Sequence, residues 1–280
     1  MALRLGIALA ICLGMAATAS AQVVRFETTA GNFDMVLNPT NNALLQGHVD
    51  NMVHYVENGN YNGSWINRAG ETETGENFVL QMGGFFSHTK RTPMTIDSTR
   101  PVAAFAPVTG QPMISGLSNT VGTVSLALPG SNPNGGTSSF FVNLASNNFL
   151  DQSFTVFAAI SDMTVVNQIM ALSTRDLTDP AKVPLFGADP TNLTFTEVPI
   201  MADGFQVFIK RAFVVGDPLT IARATAGVQA TMALSASSAG AGGASSLSPL
   251  LSATVPEPAS FIMAAVGLGY VLLFRRSRGQ

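Results

Sequence analysis

The chain has 280 residues, of which 46% are hydrophobic and only 11% are charged, so it can form one or two domains with a sizeable apolar core. The chain has 14 basic and 17 acidic residues, and five of these charged residues lie in its two apolar ends: Arg4, Glu257 and three arginines in the last ten positions. The segment 22–223 therefore has ten basic and 16 acidic residues, which gives it a net charge near −6. This acidic balance excludes nucleic acid as an expected partner.

The first 21 residues have the three parts of a secretory signal peptide. Arg4 provides the positive start, Leu5 to Ala17 the apolar run, and Ala19-Ser20-Ala21 a small-residue cleavage site. The apolar run is too short to span a membrane as a mature helix. The only cysteine, Cys12, lies inside this segment, so we expect no disulfide and no thiol chemistry in the exported chain.

A β-hairpin and a helix are predicted next. Apolar residues alternate on both sides of a turn at residues 29–32, which predicts a hairpin that buries Phe33, Met35 and Leu37 on one face. Helical spacing then predicts an amphipathic helix that ends at Asn58-Gly59. Its apolar face consists of Val49, Met52, Val53 and Val56.

Short apolar segments between Gly, Pro, Asn and Ser clusters predict the remaining strands. They are "FVLQMGGFF" (78–86), "GTVSLAL" (122–128), "SSFFVNLA" (138–145), "FTVFAAI" (154–160) and "FQVFIKRAFVV" (205–215). A second helix is expected over Met163–Leu172, with Asp162 as its cap. Many short strands, two helices and no βαβ alternation favour an antiparallel barrel or sandwich with helical covers. The Pro-rich segment 173–204 is expected to wrap the barrel, and no function is assigned to it.

The C-terminal part is expected to be a linker followed by a sorting tail. Residues 224–254 are uncharged and rich in Ala, Ser and Gly, so a flexible linker is predicted over 218–254, after a folded unit at 23–217. In the tail, 255–280, "VPEP" precedes an apolar stretch and a basic cluster. This order resembles the PEP-CTERM sorting signal of Gram-negative bacteria. The resemblance implies a transmembrane helix, recognition by exosortase-type sorting machinery, and delivery to the cell surface or extracellular matrix.

Four segments of the body, in order, resemble the motifs of one enzyme family. "NGNYNGSWINR" is similar to Y-x-G-x-x-F-H-R, and "FVLQMGGF" to F-x-x-Q-G-G-x-F. "GLSNTVGTVSLAL" is similar to G-L-x-N-x-x-G-T-I-x-M-A, and "SSFFVNLASNNFLDQSFTVFAAI" to the segment that runs from S-Q-F-F-I through L-D to V-F-G. The family is the cyclophilins, peptidyl-prolyl cis/trans isomerases (rotamases) that assist protein folding. The resemblance implies a mainly β fold, an eight-stranded antiparallel barrel capped by two helices.

The chemistry of this family sets what a site must contain. Rotation about an X-Pro bond breaks amide resonance and meets a barrier of about 18–20 kcal/mol. A catalyst needs a donor near the prolyl nitrogen, whose lone pair localises as the amide twists, and an apolar pocket for the ring. A guanidinium suits the first role because it is always charged and rigid.

The resemblance implies Arg68 as the catalytic residue. It implies a substrate-binding set of two polar and six apolar side chains: Phe78, Gln81, Ala127, Ser139, Phe141, Phe149, Leu150 and Phe154. Several positions depart from the family pattern. Asn67 replaces a histidine, Ser139 a glutamine, Phe149 a tryptophan and Phe154 a histidine, and an acidic insertion at 69–76 offers Glu71, Glu73 or Glu76 as partners for Arg68.

The departures predict an isomerase of proline-containing polypeptides that is slow or selective, and two alternatives stay open. One is a non-catalytic module that binds proline-containing segments in the extracellular matrix; the other is a structural matrix protein without a ligand. Neither a metal nor a cofactor is expected. His48 and His54 are six residues apart on the first helix, do not share a face, and are expected at the surface.

Overall fold

The computed structural model describes residues 22–87, 99–101, 115–128, 132–177 and 195–241. The elements follow in chain order as β1 (Val23–Thr28), β2 (Gly31–Leu37), α1 (Gln46–Glu57), β3 (Ser64–Glu71), β4 (Asn77–Ser87), β5 (Thr99–Pro101), β6 (Thr123–Leu126), β7 (Phe140–Asn143), β8 (Val156–Ile160), α2 (Thr164–Met170), β9 (Thr174–Arg175), β10 (Val198–Pro199), β11 (Ile209–Val214) and α3 (Pro218–Ala241). The predicted signal peptide, 1–21, and the predicted sorting tail, 255–280, lie outside the described residues.

Eight antiparallel strands follow one another in the order β11-β1-β2-β8-β6-β7-β4-β3. The two ends of this path meet, because Trp65 in β3 forms an isolated bridge with Phe208, just before β11. The backbone N–H of Ile66 also donates to the carbonyl of Val207 at 3.0 Å. The sheet is therefore a nearly closed barrel, and the expected mainly β, eight-stranded antiparallel fold is confirmed.

The interior of the barrel is filled by residues that alternate along each strand, as period-2 burial requires. In the first hairpin, Phe26 pairs with Phe33, and their rings stack at 5.2 Å. Met35 and Leu37 bury into the same core, so the predicted face of the hairpin is confirmed. Helix α1 ends at Glu57 with Asn58 as its C-cap, as expected. Helix α2 is shorter than the predicted 163–172, and Asp162 accepts a hydrogen bond from the backbone N–H of Thr164 at 2.8 Å.

His48 is buried, and the expectation that it lies at the surface is wrong. Only 3% of the residue is exposed, and its ring stacks against Phe157 at 5.9 Å. The reason is that α1 buries a wider face than its Val/Met stripe, including Asn51 and Tyr55. Burial in this apolar environment lowers the pKa of His48 to about 4. His54, on another face of the helix, is half-buried.

Helix α3 occupies the first part of the segment in which a flexible linker was expected. Its first turn is capped by Asp217, whose carboxylate accepts from the backbone N–H of Thr220 at 2.9 Å. Ala224 and Val228 bury against the outer face of β1, β2 and β8. The Ala-, Ser- and Gly-rich composition predicted a flexible linker, but the same small residues let a helix approach a sheet closely. A Cβ on Gly227 would lie 2.5 Å from the carbonyl oxygen of Ser161.

None of the helices in the described ranges is both long enough and apolar enough to cross a membrane. The expected apolar stretch of the sorting tail lies outside those ranges, so its transmembrane helix stays a prediction.

Candidate functional site

The candidate site lies on the outer face of the barrel, across strands β3, β4, β7 and β6. Arg68 pairs with Gln81, Gln81 pairs with Phe141, and Phe141 pairs with Ser125 in the strand registers. Directly paired residues of antiparallel strands project to the same face. The neighbours Leu80 and Val142 belong to the interior core, so this row faces outward and places Arg68 two strands away from Phe141.

An apolar cluster is centred on Phe141, and we call it the hollow after the proline pocket that the sequence predicts here. Its ring meets that of Phe154 edge-on, with centroids 5.4 Å apart, and both are buried. Ala127 and Leu150 belong to the same apolar cluster, and Phe78 packs against it. Five of the predicted substrate-binding residues therefore belong to one apolar cluster, separate from the interior core.

Phe149 forms the exposed rim of this hollow. It is 47% exposed, and its ring stacks on that of Phe78 at 5.9 Å, with the two planes inclined by 11°. Phe149 and Leu150 occupy a single 3-10 turn, Asn148–Leu150, which presents one side chain to the rim and buries the other.

The polar part of the predicted set consists of Gln81 and Ser139. The side-chain amide of Gln81 donates to the hydroxyl of Ser139 at 3.3 Å, and that hydroxyl lies 3.4 Å from the carbonyl oxygen of Met82. A serine is shorter than the glutamine that the family pattern has here, so it reaches neighbouring protein groups rather than projecting outward. All nine predicted site residues are thus on one face.

Arg68 is held in place, and its side chain is only 5% exposed. Its Nε donates to the carboxylate of Glu197 at 2.9 Å. The guanidinium lies over Gly70, where a Cβ would come within 3.0 Å of Cζ. The ion pair that the structure describes for Arg68 therefore involves Glu197, from the segment without an expected role, and not Glu71, Glu73 or Glu76.

Glu197 belongs to a strap, which we define as residues 174–177 and 195–200, including the paired strands β9 and β10. The strap packs on the outside of β3 through an apolar cluster around Trp65, which is fully buried and stacks on Phe195 at 5.5 Å. The backbone N–H of Ala69 donates to the carbonyl of Glu197 at 2.8 Å. The unusual Trp65, three residues before Arg68, thus anchors the strap.

A buried carboxylate fixes the turn that carries the hollow's far wall. Asp151 accepts hydrogen bonds from the hydroxyl of Ser118, from the backbone N–H of Asn119 at 2.7 Å and from its side-chain amide at 2.9 Å. The same amide donates to the carbonyl of Phe154 at 3.1 Å. Asp151 is one residue from Leu150, so its contacts position both walls, Leu150 and Phe154.

Two further asparagines extend this network to the other side of the hollow. The side-chain amide of Asn143 donates to Asn119 at 3.0 Å, and that of Asn147 donates to Asn143 at 2.9 Å. Asn147 also donates to the carbonyl of Phe78 at 3.0 Å. Sequence reasoning did not assign these residues a role, although Asn119 and Asp151 stand at the N and D of the G-L-x-N and L-D motifs.

Within the part of the chain that the structure describes, no group of three or more His, Cys, Asp or Glu side chains is arranged to hold a metal ion. The polar groups that this face does carry are the guanidinium of Arg68, the amide of Gln81 and the hydroxyl of Ser139.

The chain is similar to known proteins of one family. Residues 23–186, more than half of the chain, match the family model for "Cyclophilin type peptidyl-prolyl cis-trans isomerase/CLD". A peptidyl-prolyl cis-trans isomerase of Acinetobacter baylyi is 34% identical over 158 residues, which cover 54% of this chain and 73% of the relative. Peptidyl-prolyl cis-trans isomerase A of Dickeya dadantii is 33% identical over 175 residues, which cover 60% of this chain and 81% of the relative.

Two solved structures of a cyclophilin-type isomerase from Cryptosporidium parvum are also similar. The first has a TM-score of 0.48 and 17% identity, and the match covers 71% of this chain and 99% of that one. The second, crystallised in the presence of the dipeptide Ala-Pro, has a TM-score of 0.47 and 16% identity, with 70% and 100% covered.

Proposed function

Since the chain belongs to the cyclophilin family of peptidyl-prolyl cis-trans isomerases, we propose that it isomerises X-Pro bonds in exported or surface proteins, on the face that carries Arg68 and the hollow around Phe141. One observation carries the assignment of the site. The guanidinium of Arg68 and the ring of Phe141 stand in one outward row, two strands apart, with Gln81 between them.

The hollow binds the proline ring in this proposal. Its rings and aliphatic groups are presented by a β-sheet and a hydrogen-bonded turn, so little entropy is lost in forming the pocket. Burial of an apolar ring there is favourable because it removes apolar surface from water. The exposed ring of Phe149 lies at the rim, where it contacts the residue that flanks the proline.

Arg68 stabilises the twisted amide. As the X-Pro bond rotates, resonance is lost and the nitrogen gains a localised lone pair, which a fixed N–H donor stabilises more than it stabilises the planar ground state. A donor that is already oriented costs no reorganisation at that moment. The low exposure of the guanidinium strengthens this interaction because water screens it less.

The polar contacts to the substrate backbone are reduced. Gln81 and Ser139 bond to each other, so a peptide has to replace that 3.3 Å contact to use them. This feature supports an enzyme that is slow, or that prefers substrates with strong side-chain contacts at the rim.

The setting in the cell is proposed from the two ends of the chain. The signal-peptide pattern of residues 1–21 and the PEP-CTERM-like order of residues 255–280 support export, a membrane anchor and processing by an exosortase-type enzyme. The substrates would then be exported or surface polypeptides that contain proline.

The test is a rate measurement on an X-Pro peptide. Arg68→Ala should lower kcat/KM about a hundredfold, the usual effect of removing one donor that stabilises a transition state. The matched control is Arg211→Ala, which removes an exposed arginine of β11 that pairs with Glu27 on the neighbouring strand β1. If Arg68→Ala keeps the wild-type rate, the role of Arg68 is refuted. If the wild type binds proline peptides but does not accelerate isomerisation, the alternative of a non-catalytic binding module replaces the proposal.

A further inference from the structure

We propose that Glu197 is a positioning residue that holds the guanidinium of Arg68 in its catalytic orientation. This inference rests on the proposed function, because it concerns the residue that acts on the twisting amide. Glu197 lies 129 residues from Arg68 in sequence, in a segment with no family motif, and reaches it only through the strap.

Glu197 is attached to strand β3 at three points, two through its carboxylate and one through its backbone carbonyl. Its Oε2 accepts from Nε of Arg68 at 2.9 Å, and its Oε1 accepts from the backbone N–H of Glu71 at 3.2 Å. Its own carbonyl accepts from the backbone N–H of Ala69 at 2.8 Å. The contacts lie on three nearby residues of one strand, so both oxygens of the carboxylate have defined positions.

These contacts restrict the arginine in a specific way. A guanidinium is planar, so a hydrogen bond at Nε restricts the rotation of its plane about the last side-chain bonds and narrows the directions of the terminal nitrogens. Gly70 contributes because the absence of a Cβ lets the group lie flat against the strand. A long, flexible side chain thus becomes a preoriented donor.

The strap supports Glu197 in turn. Val198, the next residue, is fully buried in the cluster around Trp65, and Phe195 stacks on the indole. Glu197 therefore sits between two anchored residues. Apolar burial therefore holds the strap against β3, the strap positions the carboxylate of Glu197, and this carboxylate orients the guanidinium of Arg68.

The experiment is a double-mutant cycle in the full chain, with kcat and KM measured on an X-Pro peptide and unfolding followed separately. Glu197→Gln keeps the length of the side chain and one acceptor oxygen; Glu197→Ala removes both. We expect kcat/KM to fall about threefold in Glu197→Gln and about tenfold in Glu197→Ala, mainly through kcat, because a charge-assisted hydrogen bond to the acting group is weakened or lost. Glu27→Gln, which breaks the exposed pair with Arg211, is the control and should leave the rate unchanged.

The effect of each Glu197 variant in the Arg68→Ala background shows whether Glu197 acts through the arginine. Combined with Arg68→Ala, neither Glu197 variant should lower kcat/KM further, since its effect passes through the arginine. A loss that persists in the Arg68→Ala background would overturn the inference and would assign Glu197 to strap stability or direct substrate contact. An unchanged kcat/KM in Glu197→Gln would overturn the inference too. So would a raised kcat/KM, because it would show that the carboxylate of Glu197 weakens the action of the Arg68 guanidinium. If Arg68→Ala alone has no effect, both this inference and the proposed role of Arg68 fail; if Arg68→Ala is impaired and Glu197→Ala is not, only this inference fails.

Discussion

Replacement of Asp151 should show how far the hollow depends on the buried carboxylate behind it. This side chain is not one of the predicted substrate-binding residues, yet its oxygens accept three hydrogen bonds from Ser118 and Asn119. Asp151→Asn keeps the volume of the side chain and removes the charge. Asp151→Ala removes the acceptor and leaves the amide groups of Asn119, which is fully buried, without it.

The magnitude follows from the bonds that each change affects. A hydrogen bond to a charged group contributes about 1.5–3 kcal/mol and a neutral one about 0.5–1.5 kcal/mol, so the loss of charge should cost about 2 kcal/mol over the three bonds, allowing for non-additivity. The alanine variant should lose about 4 kcal/mol, because buried donors left without an acceptor also bear their desolvation cost. As Leu150 and Phe154 flank this carboxylate, kcat/KM should fall severalfold in the asparagine variant under conditions where it is fully folded.

Urea unfolding measures the first effect and peptide isomerisation the second. The single tryptophan, Trp65, is fully buried, so its fluorescence reports unfolding in every variant. Asp50→Asn is the control, since it removes an equivalent charge from the exposed surface of α1. If Asp151→Asn unfolds within about 0.5 kcal/mol of the wild type, the usual range of a surface substitution, the carboxylate is not what orders the turn.

Three further changes test other parts of the structure. The pKa of His48 is about 4 in the folded chain against 6.5 in an unfolded one, so the unfolded state binds this proton more strongly and stability falls as the pH drops from 6.5 towards 4. Between pH 7 and pH 5 the loss should be about 2 kcal/mol in urea titrations, and should be absent in His48→Gln but present in His54→Gln. Phe149→Ala should raise KM for an X-Pro peptide severalfold and change the unfolding free energy by less than about 1 kcal/mol, because the ring is half exposed; a loss of several kcal/mol would show that it is a core residue. Gly227→Ala should destabilise by about 1–2 kcal/mol, although alanine favours helices by about 1 kcal/mol, because its Cβ would collide with the carbonyl of Ser161; a more stable variant would contradict the close packing of α3.

The local spacing of apolar residues predicted much of the fold. The hairpin of β1 and β2 and the helix α1 follow from spacings of 2.0 and 3.6 residues, which depend on backbone geometry alone. The nine predicted site residues come from motif segments and lie on one face, because strand registers within a barrel bring those segments side by side. The surface position predicted for His48 and the flexible linker predicted over α3 were wrong for a common reason. The burial of a helix face depends on which surface of the fold it packs against.

The sequence by itself predicted seven of the eight barrel strands, the first two helices, the family and a set of site residues that the structure places on one face, since each is encoded by short-range spacing or by motifs within a few tens of residues. The tertiary structure decided which carboxylate meets Arg68, why Trp65 is buried, and how Asp151 supports the hollow. Those contacts join positions separated by 129 residues for Arg68 and Glu197 and by 32 for Asp151 and Asn119. No local periodicity specifies such pairs; they form only when the barrel closes and the strap packs across its outer face.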